Sequence, residues 1–307
     1  MSSHIHPLLF ALAFSVGLAS LSSPAFGQDK KDAKKDEKKD TLKQKEAIAA
    51  NLKKAELKAM VTETDNFIIV TTVTEEKAKA LGAVLEKVVP VARKALQFED
   101  KEEAWKGKLA VYFLPEGRDF KGFIRSVIGE QPNGVHYALR SDEPFIVDPV
   151  DVPGKPTEAD QFANSAAIVA GAFLKARAST AEVPDWLRDG FGRVTAMRAE
   201  GITAKRYTTY KAAAKGVANG NAKGAKPAAI ADLWGDSKPA SADVLANSLT
   251  EYIAYGPGAK DFTRFVYGFR PNENGGIPTV AQAFEAAGWK DIPALEKTWQ
   301  KWVNTGK

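Results

Sequence analysis

Residues 162–176 read FANSAAIVAGAFLKA, and this stretch decides which fold the chain can adopt. The stretch predicts a helix with small or apolar side chains on every side. A helix without a polar face is buried, because none of its sides can be left in water. We therefore expect a buried helix that the elements before and after it must cover.

The chain before this helix predicts a small mixed sheet. Residues 66–73 are rich in β-branched and aromatic side chains, which is typical of a strand. Residues 75–96 have the spacing of an amphipathic helix that Pro90 kinks or interrupts. Further strands are expected at residues 108–114, 134–139 and 144–150, with a helix through Phe120 and Ile128 after the first of them. Residues 61–160 are predicted to form an α+β subdomain.

The chain after the buried helix predicts a helical subdomain, residues 161–307. One helix is expected to start at residues 182–185, because Pro184 is favoured in a first turn. Residues 201–231 contain six Lys or Arg and no acidic residue, and we expect most of them to form an exposed connection. Four more helices are expected, at residues 248–254, 260–269, 279–287 and 293–303. Residues 61–307 are predicted to be one α+β unit.

The amino terminus has the pattern of a signal peptide. Residues 7–21 are an almost uninterrupted apolar run, which is shorter than a membrane-spanning helix requires. Small residues precede the expected cleavage point after Gly27. Residues 1–27 are therefore predicted to be removed, leaving an exported protein, periplasmic or extracellular, without a transmembrane helix. The alternative is an uncleaved membrane anchor.

Residues 28–60 are predicted to be a charged tether with a short helix. Residues 29–58 hold eleven Lys and seven Asp or Glu, a net charge of +4 out of the whole chain's +5. The alkaline balance therefore belongs to the tether and does not predict nucleic-acid binding. A solvated spacer is the favoured interpretation, and weak contact with an anionic envelope surface is the alternative.

The composition excludes several classes of site. The chain has no cysteine, which excludes disulfides, thiolate metal sites and a cysteine nucleophile. Its three histidines are His4, His6 and His136, and only His136 follows the predicted cleavage point. A zinc site with two imidazoles is therefore excluded in the mature chain. No cofactor is predicted.

Three segments resemble a known family. They are residues 64–70 (TDNFIIV), residues 183–191 (VPDWLRDGF), and the tail with Tyr255, residues 262–269, 283–288 and 299–303. In this order they resemble the gluzincin, peptidase-MA-like zinc metallopeptidase domains, specifically a secreted bacterial subgroup of unknown function. The resemblance covers residues 64–304 and implies a zincin-like α+β fold.

The resemblance also shows what this chain lacks. Such peptidases carry His-Glu-x-x-His on the buried helix, with a third carboxylate ligand on the next helix. The positions that correspond here are Val169, Ala170 and Phe173, with Asp189 in place of the third ligand. A lone carboxylate does not hold zinc, so neither a metal site nor a catalytic site is predicted. Asp189 then needs a partner, which Arg188, Arg193 or a free helix-start amide can supply.

Peptide binding is the function that the resemblance leaves open. The family fold implies a groove in which an extended peptide pairs with the edge of the sheet, a mode that survives loss of the metal. Candidate groove residues are His136, Tyr137, Arg188 and Arg193. The prediction is an exported, non-catalytic metallopeptidase-like protein that binds a peptide or protein at the cell envelope.

Two alternatives stay open. One is an envelope hydrolase with a relocated site, in which Asp189, Asp185 or Glu182 would act as acid or base, although their crowding at a helix start is also explained by capping. The other is a surface-binding module that works through the basic residues 205–226.

Overall fold

The structure, a computed structural model, describes residues 29–150, 154, 156–220, 227–235 and 239–306, with side chains described from residue 40 onward. The chain divides into two units, Met1–Lys38 and Lys39–Lys307. Only residues 29–38 of the first unit are described, and they are helical. The predicted signal peptide and residues 221–226 of the basic segment lie outside the described residues.

Helices and strands alternate in the first half of the chain, and helices follow in the second. In chain order the elements are α1 (Asp29–Lys54), β1 (Met60–Glu63), β2 (Phe67–Thr71), α2 (Glu75–Ala95), β3 (Leu109–Phe113), α3 (Gly117–Phe123), β4 (His136–Ala138), β5 (Phe145–Asp148), α4 (Glu158–Ala178), α5 (Asp185–Glu200), α6 (Lys205–Asn219), α7 (Ala242–Tyr255), α8 (Phe262–Tyr267), α9 (Val280–Ala286) and α10 (Ile292–Thr305). A π-helical turn, Ile124–Ile128, follows α3, and 3-10 turns lie at Ile230–Leu233 and Ala259–Asp261. No helix among the described residues is both long and apolar enough to cross a membrane.

The strands form one mixed sheet in the order β1-β2-β3-β5-β4. The three central strands β2, β3 and β5 are parallel, whereas β1 and β4 pair antiparallel with their neighbours at the two edges. Strands β2 and β3 are buried along their whole length, which explains their unbroken apolar sequences. The predicted α+β fold with a small mixed sheet is therefore confirmed.

Both faces of the sheet are covered. Alternate residues of β2 divide between two cores, with Phe67 and Ile69 on one face and Ile68 and Val70 on the other. The first core also holds buried side chains of α2, α4, α5, α7 and the tail helices. The second is smaller and holds Ile48 of α1 and apolar side chains of α3 and its π turn. The predicted buried helix is α4, which lies in the larger core.

The helix predicted within residues 28–60 is part of α1, but residues 40–54 are not the solvated spacer that was the favoured interpretation. This half of α1 packs on the sheet, where Ile48 is 3% exposed. Gln44 binds the backbone of Lys108 twice: its Nε2 donates to the carbonyl at 2.6 Å, and its Oε1 accepts from the amide at 3.2 Å. Asn51 donates to the hydroxyl of Tyr112 at 3.2 Å. The buried side chains of this half of α1 are Thr41, Gln44 and Ile48, at three- and four-residue spacing. Two of the three are polar, so the sequence shows no apolar stripe here.

The expected exposed connection at residues 201–231 is in large part the helix α6. Its inner face buries Tyr210, Ala214 and Val217. The many Ala and Lys residues of this segment, which suggested an exposed loop, are good helix formers. Pro90 does not end α2 either, because that helix continues to Ala95.

Helix α5 is held between α4 and α7 by glycines. A Cβ added at Gly192 would lie 2.3 Å from the carbonyl oxygen of Ala167 in α4. A Cβ at Gly190 would lie 2.9 Å from the carbonyl oxygen of Ala246 in α7. The two helix backbones can approach α5 this closely only because these positions have no side chain. This close packing fixes where the first turns of α5 stand against α4.

Candidate functional site

A cleft opens where the edge strand β4 passes α4 and the start of α5. It consists of two adjoining cavities of about 500 and 720 Å³. Both cavities are lined by Tyr137, Lys175, Asp185 and Arg188, and these four residues define the cleft below. One strand and two helices therefore meet at a concave site of the size that small ligands and peptide segments fill.

Strand β4 has one edge without a strand partner. It pairs with β5 through Tyr137 opposite Ile146, and no other described strand lies beyond it. An edge strand presents backbone N–H and C=O groups that can pair with another chain. Tyr137 lines both cavities and Ala138 lines the larger one, so β4 borders the cleft.

Tyr137 lies close to two cations. The Nζ of Lys175 is 5.2 Å and the Cζ of Arg188 is 5.9 Å from the centre of its ring. Both distances are in the range of cation–π attraction. Burial raises the pKa of the Tyr137 hydroxyl far above its usual value, so the phenol is uncharged at neutral pH. Tyr137 therefore provides a π surface and a hydroxyl group, but no charge.

Arg188 and Lys175 differ in whether a carboxylate compensates their positive charge. Arg188 binds two carboxylates: its Nη1 lies 2.7 Å from Asp185, and its Nε donates to Asp189 at 2.9 Å. No carboxylate among the described residues forms an ion pair with Lys175. Burial, followed by the charge of Arg188, lowers the pKa of Lys175 from its ordinary value. Lys175 therefore lacks an anionic partner within the described part of the chain, and so does Arg140, which lines the larger cavity.

The α4 positions that the resemblance assigns to the lost zinc site do not line the cleft. Val169, Ala170 and Phe173 are buried in the larger core, and the ring of Phe173 lies 4.5 Å from that of Trp105. The α4 residues that line the cleft are Asn164, Ala167, Ile168, Gly171 and Lys175. The positions that the resemblance assigns to the lost site therefore face the core, and another face of α4 borders the cleft. A helix that is apolar on every side carries no signal of its rotation, so only its packing against α5 and β4 reveals it.

Asp189 stands near α4, but a guanidinium lies beside it. Its side chain is about half exposed, at 51%, and pairs with Arg188, one of the partners predicted for it. A Cβ at Gly171, the nearest glycine of α4, would lie 3.3 Å from the Cγ of Arg188. No group of three His, Cys, Asp or Glu that could hold a metal occurs in the described ranges. The guanidinium of Arg188 lies beside Asp189, and no histidine lines the cleft. These residues therefore do not fit zinc.

The other two predicted groove residues, His136 and Arg193, lie in different places relative to the cleft. His136 precedes Tyr137 in β4 and does not line the cleft: its ring stacks on Phe145 at 5.8 Å, and its Nδ1 lies 3.5 Å from Glu130. Successive strand residues point to opposite faces, which explains the separation. Arg193 lines one end of the cleft and donates to Asp243 of α7 at 2.8 Å.

The carboxylates considered for a relocated hydrolase site lie at the same place. Asp185 and Glu182 line the larger cavity, and Asp189 lines the smaller one. Asp185 and Asp189 both face the guanidinium of Arg188, and Asp185 is 75% exposed. Two exposed carboxylates on one guanidinium are arranged as ion pairs rather than as an acid and a base on either side of a reacting bond.

Sequence reasoning missed two features of the site. Lys175 is the single charged residue in residues 162–176, and an isolated cation on an apolar helix is a signal that could have found it. Asp148, at the end of β5, is fully buried and accepts hydrogen bonds from the hydroxyl of Ser165 in α4 and from the amide of Val150 at 2.7 Å. Burial raises its pKa to about 6. This carboxyl ties the end of the sheet to α4 beneath the cleft.

No protein-family model, no curated protein and no solved structure matches the chain. The basis for a functional proposal is therefore the geometry of the cleft and the chemistry of the side chains around it.

Proposed function

We propose that this protein is an exported, non-catalytic, metallopeptidase-like protein that binds a peptide segment of a partner at the cell envelope. The segment lies in the cleft as an added strand beside β4. The observation that carries the proposal is the free edge of β4 alongside a cleft walled by α4 and α5. Added strands bind through backbone hydrogen bonds, and neighbouring side chains supply the specificity.

The composition of the cleft supports binding of an extended chain. Ala167 and Ile168 make part of the α4 wall apolar, whereas the side chain of Arg188 covers Gly171. Tyr137 adds an aromatic surface, and Lys175 adds a cation without an ion-pair partner among the described residues. A peptide would thus meet unpaired backbone groups, an apolar wall and the positive charges of Lys175 and Arg140.

The relation to zinc peptidases is part of the proposal. It is supported by the resemblance of residues 64–304 and by the arrangement of an antiparallel edge strand, a buried helix and a following helix that carries Asp189. The side chains at the cleft do not fit zinc, so no step of peptide hydrolysis is assigned to them. Export rests on the signal pattern of residues 1–27, and amino-terminal sequencing of the secreted chain tests it.

The binding proposal is tested with the purified secreted protein and a displayed library of random twelve-residue peptides. We expect recovery of peptides that bind with one-to-one stoichiometry. Ile168→Trp fills the α4 wall and should weaken binding of those peptides at least tenfold. Ile277→Trp is the matched control, because Ile277 is 58% exposed and lies outside the cleft. Equal affinity of the two variants would show that the peptides bind elsewhere.

The hydrolase alternative makes a different prediction for the same peptides. It requires Glu182, Asp185 or Asp189 to act on the bound chain, so bound peptides would be cut over time. Peptides that remain intact after prolonged incubation with the protein, as mass spectrometry would show, favour the binding proposal. Cleavage that Asp189→Asn abolishes would favour the hydrolase instead.

The basic segment is a weaker candidate. In α6, Lys211 forms an ion pair with buried Glu251 at 2.9 Å, and Arg206 forms one with Asp160 at 2.9 Å. Cations that are already compensated attract an anionic surface less strongly.

A further inference from the structure

A second cavity lies apart from the cleft, between the carboxyl-terminal ends of α2, α5 and α7. Its volume is about 660 Å³, and it has no lining residue in common with the cleft. Cavities of this volume are typical of sites that bind small molecules. It is called the α2/α7 cavity below.

The walls of the α2/α7 cavity are largely apolar. Val91 and Ala95 of α2 and Ala254 and Tyr255 of α7 supply much of the surface. Ile202, which follows α5, also lines the cavity although it is 59% exposed. A single exposed aliphatic side chain is common, but here it extends an apolar wall out to solvent. The cavity therefore suits a ligand whose body is apolar.

Every charged residue that lines this cavity is a cation. They are Lys94, Arg198 and Lys260, and no Asp or Glu lines it. Lys94 and Lys260 form no ion pair with any residue that the structure describes. The cavity thus combines apolar walls with two uncompensated ammonium groups.

Arg198 is only partly engaged by the protein. Its Nη1 donates to Glu251 at 2.8 Å and to the hydroxyl of Tyr207 at 3.3 Å. Its Nε and Nη2 have no acceptor within the described part of the chain, and the side chain is 27% exposed. Glu251 is fully buried and also accepts from Tyr210 and Lys211, so it cannot neutralise the lysines of the cavity. Free guanidinium donors therefore remain available to a ligand.

We propose that the α2/α7 cavity binds a single-chain amphiphile with an anionic head. The apolar chain lies between α2 and α7, and the head reaches Lys94, Lys260 and the free donors of Arg198. Such a ligand satisfies both features of the cavity, because its burial removes apolar surface from water while the cations compensate its charge. Neither feature depends on the peptide cleft.

The proposal is tested by isothermal titration calorimetry of the secreted chain with dodecanoate below its micellar concentration. We expect saturable one-to-one binding. Dodecyltrimethylammonium, which has the same chain and the opposite charge, should bind at least tenfold more weakly, and acetate should not bind measurably. Equal binding of both amphiphiles would overturn the role of the cations. Binding of anionic vesicles without binding of dodecanoate would overturn the proposal in favour of a membrane surface.

Variants locate the site. Two variants should each weaken dodecanoate binding at least tenfold. One is the double variant Lys94→Gln/Lys260→Gln, and the other is Ile202→Glu. The matched controls, Lys87→Gln with Lys297→Gln and Ile277→Glu, change exposed residues outside the cavity and should leave the affinity within twofold. The altered side chains are exposed, so unchanged circular dichroism is expected throughout. Affinity that falls equally in the variants and their controls would contradict the assignment.

Discussion

The Nζ of Lys175 lies 5.2 Å from the centre of the Tyr137 ring, and this contact connects the buried helix α4 with the edge strand β4 across the cleft. Arg188 stands on the same ring at 5.9 Å, but two aspartates compensate it. A peptide beside β4 would therefore meet Lys175 and Arg140, two cations that line the larger cavity without an anionic partner among the described residues.

This arrangement predicts a preference for acidic peptides. Peptides selected on the protein should be enriched in Asp or Glu, and Lys175→Gln should weaken their binding about tenfold, which corresponds to about 1.4 kcal/mol. Lys297→Gln is the control, since Lys297 is exposed and lies outside the cleft. Fluorescence anisotropy of labelled peptides measures both affinities. The expected role of Lys175 is wrong if both variants bind like the wild type.

Glu251 should be important for stability. Its buried carboxylate accepts hydrogen bonds from Arg198, Tyr207, Tyr210 and Lys211, which joins α5 and α6 to α7. Glu251→Gln leaves two partly buried cations without their counter-ion and should lower the free energy of unfolding by about 3 kcal/mol. Urea denaturation measures this, with the exposed Glu285→Gln as control, expected within about 0.5 kcal/mol of wild type. A small effect at both positions would mean that the network contributes little.

The close contact of α4 with α5 makes a sharp steric prediction. Gly192→Ala forces a methyl group against the carbonyl oxygen of Ala167, which would lie 2.3 Å away. We expect a loss of about 3 kcal/mol or more in the free energy of unfolding, because backbone atoms must move. Gly122→Ala, in a helix with no atom within 4 Å of the new Cβ, should be neutral or slightly stabilising. Similar unfolding midpoints for the two variants would show that the helices are farther apart.

Asp148 should make stability depend on pH. Burial, partly offset by hydrogen bonds from Ser165 and Val150, raises its pKa from 3.8 to about 6. Between these values the unfolded chain ionises first, so this carboxyl lowers wild-type stability as pH rises from about 4 to about 6. Asp148→Asn lacks the effect, and its stability relative to wild type should rise by about 3 kcal/mol over that window and then level off.

Thermal and urea unfolding of Asp148→Asn and wild type at several pH values checks this prediction. Asp100→Asn, at an exposed position, should show little change with pH relative to wild type. A difference between Asp148→Asn and wild type that stays constant from pH 4 to pH 7 would mean that the carboxyl is not desolvated in the folded protein.

Local patterns predicted much of the fold. Strands β2, β3 and β5 are short apolar runs between turns, and α4 is apolar on every side. These patterns alone predict that the four elements are buried. The edge strand β1 was missed, whereas the other edge strand, β4, lies within the strand predicted at residues 134–139.

Elements whose role depends on distant partners were not predictable. Helix α1 reaches the sheet through Gln44 and Asn51, and polar residues give no apolar stripe to read. Helix α6 is organised around Tyr210 and a carboxylate 41 residues away in sequence. In the same way, the rotation of α4 depends on Gly192, where α5 approaches it. These relations are long-range packing, which sequence spacing does not record.

Hydrogen exchange of the β4 backbone amides is the most direct test of strand addition. The measurement compares exchange at residues 136–138 in the free protein and with a saturating selected peptide. We expect the peptide to slow exchange at those amides of β4 that point away from β5, and to leave the β1 amides, at the opposite edge, unaffected. Tight binding of the peptide with unchanged exchange throughout β4 would show that the peptide does not add to the sheet as a strand.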